Sequence, residues 1–490
     1  MRNVLVGTLG LVLVGSFAAA CGEEDSIEDD STSTAAAGSP DAASSTGVGS
    51  GGGDAQGSTG VGGNYDGPTF YADVAWILSD NCLHCHTDGQ IGGFSIEAYE
   101  DAAPLAALIA DMTSSGQMPP FNARETDDCE QRIPWKDDPR LSEAELETLR
   151  VWADAGAPSG DPADGPPPYE LVANDLPGVT MKLEPSEPFT VDGEDDIFQC
   201  VVYDPQLEED GTVTGIHIVP SNTAVAHHAL TFRMSRQDAT AVSGGRERFP
   251  CFGSPGSDLI HAWAPGGQPF DLPEDVGIAM TTDDVIVVQM HYHPTGEPEQ
   301  DSSEIQLRFT DERPAWLFQV ALPGNSSSAS EGLLPDPNDR GAPEFRVPTG
   351  ESEHVEEMTY TVPDVVGAFQ IPILFASAHM HYVGTDMRVS IERAAPIGDQ
   401  PAEECLVRTP EWDFNWQRFY EFDAPIDELP TVTSGDVLRM KCTYNNTKQN
   451  RFVKKALEEQ GMSEPVDVYL GETTLDEMCL APLGILVPNL

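Results

Sequence analysis

From Tyr169 to the C-terminus, the sequence alternates short apolar runs with turns rich in Pro, Gly and Asp, and this pattern limits the fold more than any other feature. Runs such as 198–203 and 285–290 have the length and the β-branched and aromatic content of strands. Few helical patterns interrupt them. About 320 residues of short strands are more than one sandwich needs, so we predict two consecutive jelly-roll-like β-sandwich domains, residues 169–311 and 312–490.

The preceding residues, 67–168, have helical spacing instead. Apolar residues from Phe70 to Leu78 recur on one helix face, and residues 141–152 form a second amphipathic pattern that starts with Ser142 as a potential cap. A Gly-Pro-Pro-Pro run then separates this region from the strands. The chain is therefore predicted to be mainly β, with a small α-helical domain in front of the β-sandwiches.

The helical region contains the motif Cys82-Leu83-His84-Cys85-His86, which is the C-x-x-C-H pattern of covalent haem c attachment. The two thiols would add to the vinyl groups of one haem, and His86 would bind the iron. A thioredoxin-type redox pair or half of a zinc site are the alternatives. Neither needs a His directly after the second Cys, and the sequence has no second C-x-x-C to complete a zinc site.

A second axial ligand is expected on a loop that follows the motif. Met118 is favoured because two prolines stiffen the backbone after it, Met112 is the alternative, and a core role for either remains open. The segment resembles small bacterial cytochrome c domains, with their Met-Pro-Pro loop and a closing helix that ends in Gly-Ala-Pro. A haem with His and Met ligands transfers electrons rather than binding oxygen.

The N-terminus is predicted to direct export. Arg2 precedes a short apolar run, and Ala18-Ala19-Ala20-Cys21 follows, so residues 1–21 have the layout of a bacterial lipoprotein signal peptide with Cys21 as the acylated residue. Plain secretion is the alternative, because Ala18 stands where Leu is usual. Residues 22–66, rich in Gly, Ser and Ala, are predicted to be a disordered tether. The expected location is the periplasmic side or cell surface of a bacterium, with membrane contact only through the lipid anchor.

The charge balance excludes some partners. The chain has 25 Lys and Arg against 82 Asp and Glu, a formal charge of −57. Such a surface repels anionic lipid headgroups and nucleic acid, so no nucleic-acid partner is expected. It favours solubility outside a cell or contact with basic partners, and a compositional habit of the source organism explains it equally well.

Six of the eleven histidines occur in three tight groups: His227-His228, His291-Tyr292-His293 and His379-Met380-His381. Residues two apart on a strand project from the same face, so an H-x-H pair can chelate one ion. The side chains of an H-H pair diverge, and we expect one ring to use its near nitrogen and the other its far one. Imidazole sets suit Zn, Cu, Ni or Fe, and no carboxylate lies within a group, which disfavours a 2-His-1-carboxylate iron site. The thioether of Met478 favours copper, although its spacing alone is that of a core residue.

Residues 180–490 resemble the copper type II, ascorbate-dependent monooxygenases, the family of peptidylglycine α-hydroxylating monooxygenase and dopamine β-monooxygenase. The matching pieces occur in family order and are His227-His228, Ala262–Gly266, Gln289–Tyr292, His379–His381 and Glu477–Cys479. The resemblance implies one copper bound by His227, His228 and His291 in the first sandwich domain. It implies a second copper, at which catalysis takes place, bound by His379, His381 and Met478 in the other domain.

The resemblance also implies a disulfide pattern. Cys21 and the two motif cysteines leave six of the nine. By the resemblance Cys200 should pair with Cys251 and Cys442 with Cys479. Cys129 and Cys405 remain, and a bond between them would join the helical domain to the copper domains.

The family reaction implies hydroxylation of a C–H bond with O2 and two electrons. The expected substrate is a small organic molecule or peptide. Ascorbate is the donor for the animal relatives, and here the fused haem would relay electrons from an external donor. The alternatives are an electron-transfer or copper-holding surface lipoprotein without hydroxylase turnover, and a surface binding module without copper. Gln289 could orient a ligand, and the remaining histidines of the β region are expected to be structural: His217, His261, His293 and His354.

Overall fold

A computed structural model describes residues 65–170, 174–193, 196–325, 332–364, 369–471, 473 and 475–490. The signal-peptide, Cys21 and tether predictions lie outside these ranges. The described helices are α1 (Ala75–Asn81), α2 (Tyr99–Ala102), α3 (Ala106–Ser114), α4 (Glu143–Asp154), α5 (Arg236–Ser243) and α6 (Arg451–Glu459). The described strands are β1 (Met181–Leu183), β2 (Phe189–Val191), β3 (Ile197–Tyr203), β4 (Gly211–Val219), β5 (Ala226–Ser235), β6 (Arg248–Pro250), β7 (Leu259–Trp263), β8 (Phe270–Asp271), β9 (Val276–Met280), β10 (Asp284–Tyr292), β11 (Glu299–Asp301), β12 (Glu304–Thr310), β13 (Trp316–Ala321), β14 (Arg346–Val347), β15 (His354–Thr361), β16 (Ile371–Ala376), β17 (Gly384–Glu392), β18 (Glu403–Thr409), β19 (Tyr420–Glu421), β20 (Thr431–Val432), β21 (Val437–Tyr444), β22 (Val468–Tyr469) and β23 (Leu483–Pro488). Shorter turns of helix are Phe70–Val74, Ala103–Leu105, Pro162–Asp164 and Ile426–Glu428.

The prediction of a mainly β chain is confirmed, with the longer strands arranged in several sheets. The largest described sheet contains ten strands, and its main path runs β1-β12-β4-β9-β13-β23-β16-β19. Within it β9 and β13 pair in parallel, so strands from both predicted β domains belong to one sheet. A five-stranded sheet, β6-β3-β10-β5-β7, and a four-stranded sheet, β15-β21-β17-β18, accompany it.

The helical region has its own small core. Phe70, Leu78, Leu149 and Trp152 are almost fully buried against one another. The predicted cap at Ser142 is confirmed: its hydroxyl accepts from the N–H of Glu145, and the Glu145 carboxylate accepts from the Ser142 N–H. This reciprocal pair fixes the start of α4, because it provides acceptors for two N–H groups that have no hydrogen-bond partner within the helix.

The segment between α3 and α4 packs on the β region instead. Phe121 and Trp135 belong to the same hydrophobic core as the three large sheets. The ring of Trp135 stacks on that of Phe422 with centroids 5.0 Å apart. A disulfide joins Cys129 to Cys405 across 276 residues, so the helical part of the chain is covalently tied to β18.

Two further disulfides, Cys200–Cys251 and Cys442–Cys479, are the pairings that the family resemblance implies. In the described part of the chain, no helix has the length and apolar character needed to cross a membrane.

Candidate metal centres

The three histidines predicted to form one set come together at a bulge in the five-stranded sheet. Opposite β10, His228 pairs with His291 and Ala226 pairs with Tyr292, so His227 is an extra residue in β5. A bulge of this kind re-aims the side chain at the irregular position. The Nδ1 atoms of the three rings then lie 3.2, 3.3 and 3.2 Å from one another.

This arrangement corrects one expectation from the sequence. We expected the adjacent pair to use one near and one far nitrogen, but His227 and His228 both present the near nitrogen, Nδ1. The physical reason is the bulge, because it removes the divergence that regular strand alternation would impose on neighbours.

The donor set fits one metal ion. Each neutral imidazole nitrogen is either a donor or an acceptor, so among three mutually close Nδ1 atoms at least two share a role and cannot bond each other. Three nitrogens about 2.0 Å from one ion at near-tetrahedral angles would show the observed separations. Burial, and then the neighbouring His291, lower the pKa of His227 to about 4, which keeps it in the neutral form that binds metals.

A carboxylate that the sequence analysis missed supports this set. Asp196 lies with Oδ2 3.3 Å from Nε2 of His291, and its Oδ1 accepts from Nδ1 of His293 at 2.7 Å. The ring of His291 also stacks on Phe198 with centroids 4.4 Å apart. Asp196 therefore lies on the side of the ring away from the three converging nitrogens, within ion-pairing distance of Nε2, although Nε2 forms no hydrogen bond with a described residue. The exposed His293 pairs with Asp196 and is not one of the converging rings.

The second predicted set is assembled where the H-x-H segment meets the C-terminal segment. The backbone groups of His379 and Leu480 bond reciprocally, N–H to O, at 2.9 and 3.0 Å. This short antiparallel bridge brings Met478 beside the two histidines, and all three line one cavity. The rings of His379 and His381 are perpendicular, with centroids 5.3 Å apart.

The hydrogen bonds of these two rings set their tautomers. Nδ1 of His379 lies 2.5 Å from Oε1 of Gln417, whose amide is oriented by donation to the Phe414 carbonyl. Nδ1 of His381 lies 3.2 Å from the carbonyl oxygen of Asp476. Both acceptors require a proton on Nδ1, so the lone pair of each ring is on Nε2. Burial, and then the neighbouring His379, lower the pKa of His381 to about 3, so the ring is neutral.

A buried carboxylate holds Met478 and the H-x-H segment together. Glu477 is fully buried and accepts from the N–H groups of His381, Val383 and Met478. Burial raises the pKa of Glu477 to about 8, and these N–H donors oppose the rise. The hydroxyl of Tyr444 donates to the Met478 carbonyl at 3.0 Å, and the Cys442–Cys479 disulfide fixes the next residue.

The two sets border the same cavity, which has a volume of about 210 Å³. His228 reaches it from the first set, and the whole second set lines it. Most of the other lining residues are apolar or aromatic, including Phe198, Trp263 and Phe414. Gln289 also lines the cavity, but its amide donates to the Gly253 carbonyl and not to an imidazole, which corrects the expectation that it orients a ligand.

The C-x-x-C-H motif forms one helical turn at the end of α1. The N–H groups of Cys85 and His86 donate to the Cys82 carbonyl at 3.1 and 2.9 Å, so the two sulfurs and the imidazole share one side of the turn. Both cysteines are unpaired. Burial, and then Cys85, raise the pKa of Cys82 to about 12, and burial raises that of Cys85 to about 11.

The motif fits covalent haem attachment in its donor set: two thiols, and an imidazole whose Nδ1 is buried without a hydrogen-bond partner among the described residues. Met118 is half-buried after α3, and its N–H donates to the Met112 carbonyl at 3.1 Å. Its role as an axial ligand remains a prediction.

The motif also contacts the β region. A Cβ added to Gly266, which has a φ of +76°, would lie 3.0 Å from Cδ2 of His84, so the ring packs on bare backbone there. The hydroxyl of Thr223, four residues before His227, donates to the Gln90 side chain at 2.8 Å. The Arg418 guanidinium lowers the pKa of Cys85, against the larger effect of burial. Arg418 also lines the shared cavity.

Fold and site together define a mainly β protein with two histidine-based candidate metal sets on one cavity. No family model matches the chain. It is 23% identical over 333 residues to human DBH-like monooxygenase protein 1, which covers 65% of this chain and 46% of that protein. It is 28% identical over 233 residues to the chicken protein of the same name, covering 46% of this chain and 32% of that protein. It is 26% identical over 250 residues to dog dopamine beta-hydroxylase, covering 48% of this chain and 36% of that protein.

The chain thus spans less than half the length of these curated relatives. As distant homologues, these proteins support a relationship of this chain to the copper type II monooxygenase family. Among solved structures, the VP2 subviral particle of infectious bursal disease virus covers 65% of this chain and 74% of that chain at 8% identity. The TM-score of 0.16 is too low to indicate that the two chains share a fold.

Proposed function

We propose that the chain is a copper-dependent monooxygenase that hydroxylates a C–H bond of an organic substrate. Substrate, O2, two electrons and two protons would yield an alcohol and water. The observation that carries the proposal is the pairing of two unlike donor sets on one cavity. One set is three Nδ1 atoms within 3.3 Å of one another, and the other is two imidazoles with the Met478 thioether. A thioether is a soft ligand and selects Cu(I) over Zn or Fe.

Copper bound at both sets would supply O2 activation and storage of the second electron. The residues of the chain hold and orient these sets. Gln417 keeps the Nε2 lone pair of His379 available, and the Asp476 carbonyl does the same for His381. Glu477 fixes the distance between the H-x-H segment and Met478 through backbone N–H groups. Asp196 orients His291 from behind.

The cavity supports an organic substrate. Aromatic walls from Phe198, Trp263 and Phe414 can bury an apolar group next to the second set. They would also exclude water from the reacting C–H bond, which limits side reactions.

We further propose that a haem c, held by Cys82 and Cys85 with His86 as an axial ligand, supplies the electrons from an external donor. Two contacts support this: His84 on Gly266, and Gln90 with Thr223 close to the bulge. Three disulfides also fit an oxidising compartment, and hence the proposed export as a lipoprotein anchored at Cys21.

The test begins with copper and haem content of the purified protein, followed by a screen of candidate substrates for O2 uptake. Met478→Leu keeps the volume but removes the sulfur, and we expect it to abolish substrate-dependent O2 uptake. Met440→Leu makes the same change at another buried methionine and should retain uptake. If Met478→Leu consumes O2 at the wild-type rate, the proposal is wrong. A copper-loaded protein that never consumes O2 with any substrate would favour the alternative without turnover.

The electron supply is tested separately. The haem of the copper-free protein is first reduced. Cu(II) is then added under anaerobic conditions to fill both sets. We expect the haem absorbance to change to the oxidised form as copper is reduced. A haem that stays reduced contradicts the relay and leaves the monooxygenase proposal standing with a different donor.

A further inference from the structure

A third cluster of metal-ligating side chains lies away from the shared cavity, in the second half of the chain. Asp336, His354 and Glu356 bring their ligand atoms within 4.8 Å of one another. His354 and Glu356 are on β15 and are 4% and 0% exposed, while Asp336 is half-buried in the preceding loop. The cluster offers one imidazole nitrogen and the oxygens of two carboxylates.

The Glu356 carboxylate is only half satisfied by its neighbours. Its Oε1 accepts from Nε2 of His354 at 2.8 Å and from the N–H of Arg346 at 3.4 Å. Its Oε2 is buried and has no hydrogen-bond partner among the described residues. A buried carboxylate oxygen without a partner is costly in the ionised form, because nothing replaces the water that burial removed.

Among the described residues, no Lys or Arg side chain forms an ion pair with this carboxylate, and the side chain within ion-pairing distance of it is the imidazole of His354. The guanidinium of Arg346 is directed elsewhere: Nη1 pairs with Asp467 at 3.2 Å, and Nη2 donates to the Asn338 carbonyl. The second carboxylate, Asp336, adds charge of the same sign. Two converging carboxylates with one imidazole are a set that a divalent cation would complete.

The imidazole is already oriented for such an ion. Nδ1 of His354 lies 3.2 Å from the side-chain amide of Asn338, and Nε2 lies 2.8 Å from Oε1 of Glu356. An ion bound at Nε2 would take the place of the proton there, so that the ring carries its proton on Nδ1 and the amide oxygen of Asn338 turns to accept it. The loop is held as well, because the N–H of Asn338 donates to Asp336 Oδ1 at 2.6 Å and the N–H of Leu334 donates to the Glu357 carbonyl at 2.9 Å. The donor atoms therefore belong to two segments that are docked against each other.

We propose that Asp336, His354 and Glu356 form a third metal site, which binds a divalent cation of borderline character such as Zn²⁺. Mixed nitrogen and carboxylate sets suit this class, and the absence of sulfur from the set disfavours Cu(I). The site is independent of the proposed oxygenase chemistry and stands or falls separately from it.

The location indicates what the ion would do. In the β15–β21 register, His354 is opposite Tyr444 and Glu356 is opposite Cys442. Tyr444 and Cys442 are the two residues of β21 that hold the Met478 segment, through a hydrogen bond and a disulfide. A cation at this site would tie the 336–344 loop to β15, the strand that pairs with β21 and so with the residues that support Met478, which is a structural role.

The test uses the full-length protein with its other sets filled by Cu(I) under anaerobic conditions, because Cu(I) has little affinity for carboxylates. After equilibrium dialysis against Zn²⁺, zinc per chain is measured by mass spectrometry. We expect the wild type to retain one zinc more per chain than Glu356→Gln, and zinc to raise the Tm of the wild type but not that of Glu356→Gln. Glu357→Gln, a change at the next residue, whose carboxylate pairs with Arg439 instead, should retain the zinc.

The wild type alone keeps the proposal testable if Glu356→Gln does not fold. Zinc K-edge absorption should show one imidazole with oxygen ligands and no sulfur. A wild type that retains no zinc beside Cu(I), or zinc with three imidazoles or a sulfur ligand, overturns the third site.

Discussion

The indole ring of Trp416 lies 6.4 Å, centroid to centroid, from the imidazole of His227. The next residue, Gln417, accepts a hydrogen bond from His379 in the other set. The residue after it, Arg418, lowers the pKa of Cys85 in the haem motif through the charge of its guanidinium. Three consecutive residues thus border three different candidate sites. A change in the position of this loop would therefore be felt at all three.

Gln417 gives the first prediction. Gln417→Leu removes the acceptor of the His379 Nδ1 proton, so the ring is free to rotate or change tautomer. Loss of such a partner typically weakens metal binding by about 10–100-fold. Competition with a Cu(I) chelator measures this at the second set. Asn415→Ala in the same loop is the control and should leave affinity unchanged, so equal losses in both variants would contradict the role assigned to Gln417.

Asp196 gives a matched prediction at the first set. Asp196→Ala leaves His291 without its rear contact and should lower copper affinity there by about tenfold or more. His293→Ala removes a second partner of the same carboxylate, an exposed ring that is not one of the three converging imidazoles. We expect copper affinity to survive this second change. Affinity that falls equally in both variants would mean that the exposed pair, and not the contact with His291, matters.

Gly266 tests the packing between the haem motif and the β region. Gly266→Ala combines a left-handed backbone, which costs about 1–2 kcal/mol for an L-residue, with a contact against His84. Gly296 has a φ of +87° and open space around it, so Gly296→Ala carries the backbone cost alone. Chemical denaturation should show a larger loss of unfolding free energy for Gly266→Ala. Adding His84→Ala should recover the difference, and no recovery would contradict the contact.

The buried His261 predicts a dependence of stability on pH. Burial, and then His217, lower its pKa to about 3, whereas the unfolded chain has the ordinary value of 6.5. The unfolded state therefore binds a proton that the folded state does not between these values. The contribution of His261 to the free energy of unfolding is fully present above pH 6.5. It is lost as the pH drops toward 3, by up to about 1.4 kcal/mol per pH unit.

Denaturation midpoints between about pH 5 and 6.5 measure this slope, above the range in which most carboxylates titrate. His261→Gln cannot titrate and should reduce the slope by the contribution of one histidine, while His217, His227 and His381, whose pKa values are also lowered, keep the rest of it. Thr231→Val changes the residue opposite His261 in the sheet without altering a titrating group, so it should keep the wild-type slope. An unchanged slope in His261→Gln would show that this ring does not contribute.

The sequence predicted the candidate metal ligands better than it predicted the residues that contact and position them. The strand-rich region and the Ser142 cap follow from local spacing, whereas the assignment of His227, His228 and His291 to one set followed only from the family resemblance. The choice of Nδ1 follows from neither, because the bulge in β5 depends on pairing with β10. Asp196 and Gln417 were missed because they are distant in sequence from their partners: the residue numbers of Asp196 and His293 differ by 97, and those of His379 and Gln417 differ by 38. No local pattern distinguishes such residues from ordinary loop residues.

The packing of residues 121–136 on the β region could not be predicted from the sequence either. Their composition is that of a loop, and the stacking of Trp135 on Phe422 depends on a partner far along the chain. From the sequence, the Cys129–Cys405 pair was only what remained after the other cysteines had been assigned. The fold brings the two residues together in a disulfide.

The extra residue in β5 makes the length of this strand critical. Removing one residue immediately before His227 would let β5 pair with β10 residue for residue, and strict alternation of the side chains would return. One of the two adjacent rings would then face away, and an ion would meet two nitrogens instead of three. A change in strand length at this point would therefore alter metal stoichiometry although every histidine is retained.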